Sequence, residues 1–167
     1  MLKQITLAAV FSLVLFGCTP VISNQITRQA DEKITFQDLQ KQPERYRGAV
    51  VILGGQIVET LVKEGETRVQ VLQLPLGTGQ SPDVTAPSQG RFIVIYKRFV
   101  DPLIYEKGRK ITVAGVIEGG QVIMLNNGPY NMPVLLERET HLWKTEDYPA
   151  YAPGPAVQFG IGIGVGR

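Results

Sequence analysis

The chain predicts an all-β fold preceded by one short helix, and three observations carry that expectation. From Ala49 onward, runs of β-branched and alternating residues recur at strand length. Glycine pairs and short Gly-containing turns punctuate them. Ahead of the first run stands one helix signal, Thr35-Phe36-Gln37-Asp38, in which Thr sits three residues before an acid as in a capping box and Phe36 and Leu39 share a face.

Each element follows in order. Pro43 breaks or restarts the short helix, and Gly48 supplies the left-handed conformation that turns the chain into the first strand. Ala49 to Val62 is β-branched with Gly54-Gly55 in its middle, where a strand is expected to bend or bulge. Lys63-Glu64-Gly65 makes a turn, and Glu66 to Leu74 alternates through Val69 and Val71, so a hairpin is expected. Arg91 to Tyr96, Arg109 to Glu118, Gln121 to Leu125 and Pro133 to Trp143 complete the set, with Gly119-Gly120 read as a two-residue turn. Pro43-x-x-Tyr46-x-Gly48 before AVVILG echoes Pro102-x-x-Tyr105-x-x-Gly108 before RKITVAG, which suggests two equivalent strands entering one barrel. About five strands, the first one glycine-broken, suit a small OB-like β-barrel.

Composition bounds the function. The 167 residues carry 17 Lys+Arg, 15 Asp+Glu, one His and one Cys, with 44% hydrophobic residues. That is enough apolar content for one domain with a buried core. A net charge of +2 is too near neutral for binding driven by phosphate neutralisation, so nucleic acid is not an expected partner. A single cysteine forms no internal disulfide, and with one histidine it leaves no Cys/His zinc site, so no metal is expected.

The N-terminus is the sharpest signal. Met1-Leu2-Lys3 is a short basic start, and Ile5 to Phe16 is an apolar run too short to span a bilayer, which fits residues 1–17 as a secretory signal peptide. Leu15-Phe16-Gly17-Cys18 resembles the bacterial lipobox. The resemblance implies that signal peptidase II reads Leu15, Phe16 and Gly17, and that Cys18 receives diacylglycerol on sulfur and an N-acyl chain after cleavage. Several acyl chains give essentially permanent anchorage. Thr19, standing where an Asp would resemble an inner-membrane retention signal, implies transfer to the outer membrane. Pro20 to Lys33 is polar and reads as the remainder of an 18–33 lipidated tether, ahead of a barrel domain at 34–143.

Further motifs extend the resemblance. Phe36-x-x-Leu39, Pro43-x-x-Tyr46-x-Gly48, Leu74-Pro75-Leu76, Ser81-Pro82-Asp83, Gly90-Arg91-Phe92, Phe99-x-Asp101-Pro102-x-x-Tyr105 and Gly108-Arg109-x-Ile111-Thr112-x-x-Gly115 occur in that order. Together they look like the Slp family of outer-membrane lipoproteins, named for starvation induction. The match runs from the signal peptide to about Trp143. It implies an envelope lipoprotein without an established catalytic activity.

Chemistry-bearing residues are sparse. No Gly-x-Ser-x-Gly elbow occurs, and His141 lies in a strand-like run as a structural histidine. Asp83, Asp101, Glu59 and Glu118 are acids that no spacing pairs for hydrolysis. The 16-residue loop Pro75 to Gly90 is either a stiff cover over the barrel or a binding loop centred on Ser81 and Asp83. Arg91, Asp101 and Arg109 are read as a structural ion-pair set tying the Phe99 to Gly108 connection to the barrel. Residues 144–167 form a Pro/Tyr/Gly-rich tail whose Gly160 to Arg167 end alternates Gly with Ile or Val, a strand or a disordered segment. The expected protein is a non-catalytic, lipid-anchored outer-membrane component facing the periplasm, structural or stress-related in role. It has no cofactor beyond its covalent lipid. The alternative is a periplasm-facing module that binds glycan or protein through the 75–90 loop and the barrel face.

Overall fold

The computed structural model describes residues 20–125 and 128–144. Leu15, Phe16, Gly17 and Cys18 lie outside the described residues, as does nearly all of the C-terminal tail. Five strands, β1 (Val50–Lys63), β2 (Glu66–Leu74), β3 (Gly90–Tyr96), β4 (Lys110–Leu125) and β5 (Gly128–Leu142), close into a barrel in the order β1-β2-β3-β5-β4. All neighbours are antiparallel except β3 and β5, which run parallel over Ile93–Ile95 and Val134–Leu136. This is the connectivity of a five-stranded OB-type barrel, as the strand pattern predicted. Val69 and Val71 of β2, Phe92, Val94 and Tyr96 of β3, and Ile111, Val113 and Ile117 of β4 point inward to form the core.

The capping box ahead of the barrel is present. Thr35 Oγ1 accepts from the Asp38 amide at 3.2 Å, and the Thr35 amide donates to the Asp38 carboxylate at 3.1 Å. It starts the helix Phe36–Lys41, which drives Phe36 and Leu39 into the core, where Phe36 meets Phe92 edge-on at 6.2 Å. A 3₁₀ turn, Pro43–Tyr46, follows with Pro at its first position.

The two echoing sequence segments serve equivalent purposes at opposite ends of the barrel. Gly48, at φ 85°, donates to Ile117 O, and Ile117 N donates to Ala49 O. Gly108, at φ 89°, donates to Ile57 O, and Ile57 N donates to Arg109 O. Tyr46 and Tyr105 each pack, partly buried, against the core. Two glycine reversals therefore feed β1 and β4 into one antiparallel pair from opposite ends, each behind its own aromatic plug.

Three expectations are corrected. Gly54-Gly55 is not where β1 bends; pairing is regular there, and the register shifts later, between Ile57 and Glu59. These glycines answer to close approach instead: a Cβ on Gly54 would meet the Leu76 side chain, and one on Gly55 the backbone carbonyl of Leu72. Gly119-Gly120 is not a turn, because β4 runs through it in register with Val134 and Pro133 of β5. A Cβ on Gly119 would collide with Glu44, and one on Gly120 with Pro43 and Asn131, so the 3₁₀ turn seated there requires glycine. Nor is Pro20 to Lys33 a free tether. It carries a short helix, Asn24–Thr27, Ile22 is fully buried, and Ala30 bridges to Val50 of β1.

That segment and the 75–90 loop together cover the outer face of β1 and β4. Leu76 and Pro82 lie over Gly54. Thr112, buried and facing outward, donates to Gln80 O at 2.7 Å, while Gln80 Oε1 accepts from the Ile22 amide at 3.0 Å. Ser23 binds the Glu139 carboxylate through both its amide and its hydroxyl.

Candidate binding groove

Two hairpin arms project past the closed part of the barrel. The first is the end of β1 after its register shift, paired with the start of β2 through Lys63 opposite Glu66. The second is β4 beyond Gly119 paired with β5 up to Val134. The second arm is held at its base by the 3₁₀ turn: the Gly120 amide donates to Glu44 Oε1 at 3.1 Å, and Glu44 in turn pairs with Arg47 at 2.5 Å. Between the arms, on the outer face of β2 and β3, lies a groove of about 240 Å³.

Its wall on one side is Glu59, Leu61 and Lys63 of β1, and on the other Gln121 and Ile123 of β4. Arg68 and Gln70 of β2, Ile93 of β3 and Met132 of β5 complete the lining. Strand alternation makes this face available: Val69 and Val71 point inward, so Arg68 and Gln70 point outward. Ile93, Met132 and Val134 form a second apolar cluster outside the barrel, with Ile95, Ile123 and Tyr130 packed on it. The base of the groove is therefore rigid and apolar.

Polar groups around it are partly engaged. Gln70 Nε2 lies 3.3 Å from Met132 Sδ. Arg68 donates to Glu66 at 2.8 Å and reaches Gln121 Oε1 at 3.4 Å. Glu66 also accepts from Lys97 at 2.9 Å, and these bonds, Lys97 first and Arg68 second, hold its carboxyl down to about 2. Such a lining offers aliphatic contact, two amides and charges of both signs. Among the described residues it offers no aromatic face on which a sugar or base could stack.

Of the residues singled out in the sequence, Glu59 lines the groove, while Ser81, Asp83, Arg91, Asp101 and Arg109 are not in its lining. Asp83 Oδ1 accepts from the Thr85 hydroxyl at 2.6 Å and the Thr85 amide at 2.9 Å, which lowers its pKa and commits the carboxylate to capping its own turn. Ser81 closes that loop, its carbonyl accepting from Gly77 N at 2.8 Å. The 75–90 segment thus reads as a stapled cover. The expected ion-pair set of Arg91, Asp101 and Arg109 is not formed. Arg109 donates to Trp143 O at 3.0 Å and to Ile104 O at 2.8 Å. Asp101 caps its turn through Leu103 N at 2.9 Å. What fixes Arg91 here is its backbone amide, which donates to the Tyr130 hydroxyl at 2.7 Å.

The ion pair that does tie this connection to the barrel is Arg98 with Glu137, bidentate at 2.7 and 3.0 Å. It raises the Arg98 pKa, and the guanidinium also stands over the Tyr96 ring. No local pattern announced it, because residues 98 and 137 meet only through the parallel β3–β5 pairing. His141 stands edge-on to Trp143 at 4.7 Å, with its pKa lowered by burial. Glu59 lines the groove, while Asp83 and Asp101 each cap their own turn. Among the described residues no group of three or more His, Cys, Asp or Glu is placed to hold a metal ion.

Comparison with known proteins places the chain. It is 28% identical over 149 residues to the uncharacterized lipoprotein YeaY of Escherichia coli K12, covering 89% of this chain and 77% of that one. Over 133 residues it is 28% identical to outer membrane protein Slp of the same organism, covering 79% and 70%. It is 32% identical to an uncharacterized protein of Haemophilus influenzae over 145 residues, covering 83% and 79%. Among solved structures, it is similar to the yeast mitochondrial single-stranded DNA binding protein Rim1 at a TM-score of 0.38 and 13% identity, over 58% of this chain and 96% of that one. The model of the outer membrane lipoprotein Slp family matches residues 15–161, and the chain belongs to that family.

Proposed function

We propose that this protein is a non-catalytic binding module of the bacterial envelope, lipid-anchored through Cys18 to the periplasmic face of the outer membrane, and that the groove between the two arms holds an extended segment of a protein partner. The groove carries the reading: it lies on the β2–β3 face between the first and the last hairpin, the face with which OB-type barrels take extended ligands. Its aliphatic lining, Leu61, Ile93, Ile123 and Met132, suits apolar side chains of a peptide, while Glu59, Lys63 and Arg68 line it with charges of both signs. Among the described residues that lining carries no aromatic side chain, which favours protein over glycan. The anchor rests on the lipobox-like Leu15-Phe16-Gly17-Cys18, and the outer membrane on the family.

The test is site-specific photocrosslinking in intact envelopes from position 70, in the groove, and from position 32, exposed in the segment that covers the β1–β4 face. A protein captured from position 70 alone, and lost with Ile123→Glu at an unchanged unfolding midpoint, is the expected result. Equal capture from both positions, or capture indifferent to Ile123→Glu, overturns the groove as the site. Separately, Cys18→Ala should abolish lipid labelling and release the protein from membranes; normal labelling in that variant overturns the anchor.

A further inference from the structure

The connection from β3 to β4 is a second, independent surface. It exposes three large apolar side chains, Phe99 at 67%, Leu103 at 85% and Ile104 at 50%. These sit on a rigid frame. Ile104 N and Tyr105 N both bond to Asp101 O, at 3.0 and 2.8 Å, and Asp101 Oδ1 caps the Leu103 amide. Tyr105 stacks edge-on against Tyr96 at 5.4 Å, and its carbonyl accepts from Thr60 Oγ1 at 2.7 Å. Arg109 clamps Ile104 O to the end of β5. An apolar tip held this firmly in water, rather than folded under, is prepared for a partner.

The path of the N-terminal segment identifies that partner. Ala30 bridges to Val50, which lies opposite Val116 of β4. Followed toward the N-terminus, the chain reaches Ser23 on Glu139, opposite Ala114, and Ile22 on Gln80, whose carbonyl binds Thr112. It is heading toward Lys110, the end of the barrel that the 97–109 connection closes. Ile22 is fully buried, and only three residues stand between it and Cys18, four steps of chain that reach no more than about 14 Å. From Thr112, beside which Ile22 is held, the strand distance still to cover to Lys110 is about 7 Å at the ordinary rise per residue. Cys18 is thus tied within that reach of Ile22, a reach that takes in the barrel end where Arg109 holds the apolar tip. Lys107, exposed, flanks the tip, with an aliphatic stem that can lie along a lipid surface while its charge stays at the headgroups.

We infer that Phe99, Leu103 and Ile104 dock into the surface of the membrane that holds the anchor, fixing the barrel's orientation on it. The inference rests on the acylation of Cys18 proposed above. With that sulfur acylated, Leu103→Cys supplies the only free thiol of the full chain. The purified lipoprotein, labelled there with an environment-sensitive fluorophore, is reconstituted in vesicles of phosphatidylethanolamine with a minority of phosphatidylglycerol. Val122→Cys, on the exposed outer side of the second arm, is the control.

Shifted emission and strong quenching by spin-labelled lipids at position 103, without either at position 122, is the expected result. Protein that carries the lipid mass but is unquenched at 103 overturns the docking alone. A shift at 103 that follows protein density and ignores the lipid quencher also overturns it, in favour of contact between copies. Protein purified from membranes with no lipid mass on Cys18 overturns the anchor reading, and the docking with it.

Discussion

Glu66 shows how much one side chain at the arm can carry. It sits at the turn of the first hairpin, mostly buried, between Arg68 and the more exposed Lys97. Both bonds favour the ionised carboxylate, so its pKa in the fold is about 2 against an ordinary 4.5. The folded pKa is depressed; the stabilisation is complete above pH 4.5 and is lost as pH falls toward 2. Because one partner stands largely in solvent, the contribution is about 1 kcal/mol rather than the full value of the shift. Glu66→Gln should therefore lower stability by about 1 kcal/mol at neutral pH. Unfolding curves of both proteins should converge through the acid window, and a constant gap down to pH 2 would show that the pairs do not stabilise the fold.

Among the elements, β1 is the most constrained. The two adjacent glycines in it face different neighbours: the flexible tip of Leu76 for Gly54, the fixed carbonyl of Leu72 for Gly55. A side-chain tip can rotate away, whereas a ladder carbonyl can move only if the β1–β2 pairing opens. Gly55→Ala should thus cost about 2–3 kcal/mol, the upper part of the range for overpacking, and Gly54→Ala about 1 kcal/mol. Denaturant midpoints of the two variants decide this. Equal losses would mean that strand propensity, not the approach of Leu72, governs the position. The same pairing sets up the groove, since the register shift after Ile57 lets the β1–β2 arm leave the barrel wall.

At the level of the whole molecule, the barrel is closed on its sides as well as its ends. Tyr46 and Tyr105 plug the ends, and the 20–34 segment and the 75–90 loop cover the outer face of β1 and β4. Ile22 is the apolar anchor of that cover. Ile22→Ala should destabilise by about 2–4 kcal/mol, as for other buried large-to-small changes. In a free tether the same change would stay within about 0.5 kcal/mol. Thermal unfolding of the full chain separates the two.

What could be read along the chain is what neighbours in sequence decide. The capping box needs only Thr35 and Asp38 and the reversals only Gly48 and Gly108; these appear where the pattern put them, as do the first three strands, whereas the runs Arg109 to Glu118 and Gln121 to Leu125 join in β4 and β5 begins at Gly128 rather than Pro133. The family was legible too, because its motifs are local and ordered. Misreadings arose wherever a distant segment governs. Gly119-Gly120 resembles a turn until the 43–46 segment is seated against it, and Pro20 to Lys33 looks solvated until Ile22 meets Gln80 and the outer face of β4. The groove draws its lining from β1, β2, β3, β4 and β5 at once, and Arg98 finds Glu137 only through a parallel pairing of strands far apart in sequence. Backbone propensity and side-chain alternation act over a few residues and leave their mark in composition. Register across a closed barrel is fixed by packing between remote strands, and only the folded chain brings those residues within reach of one another.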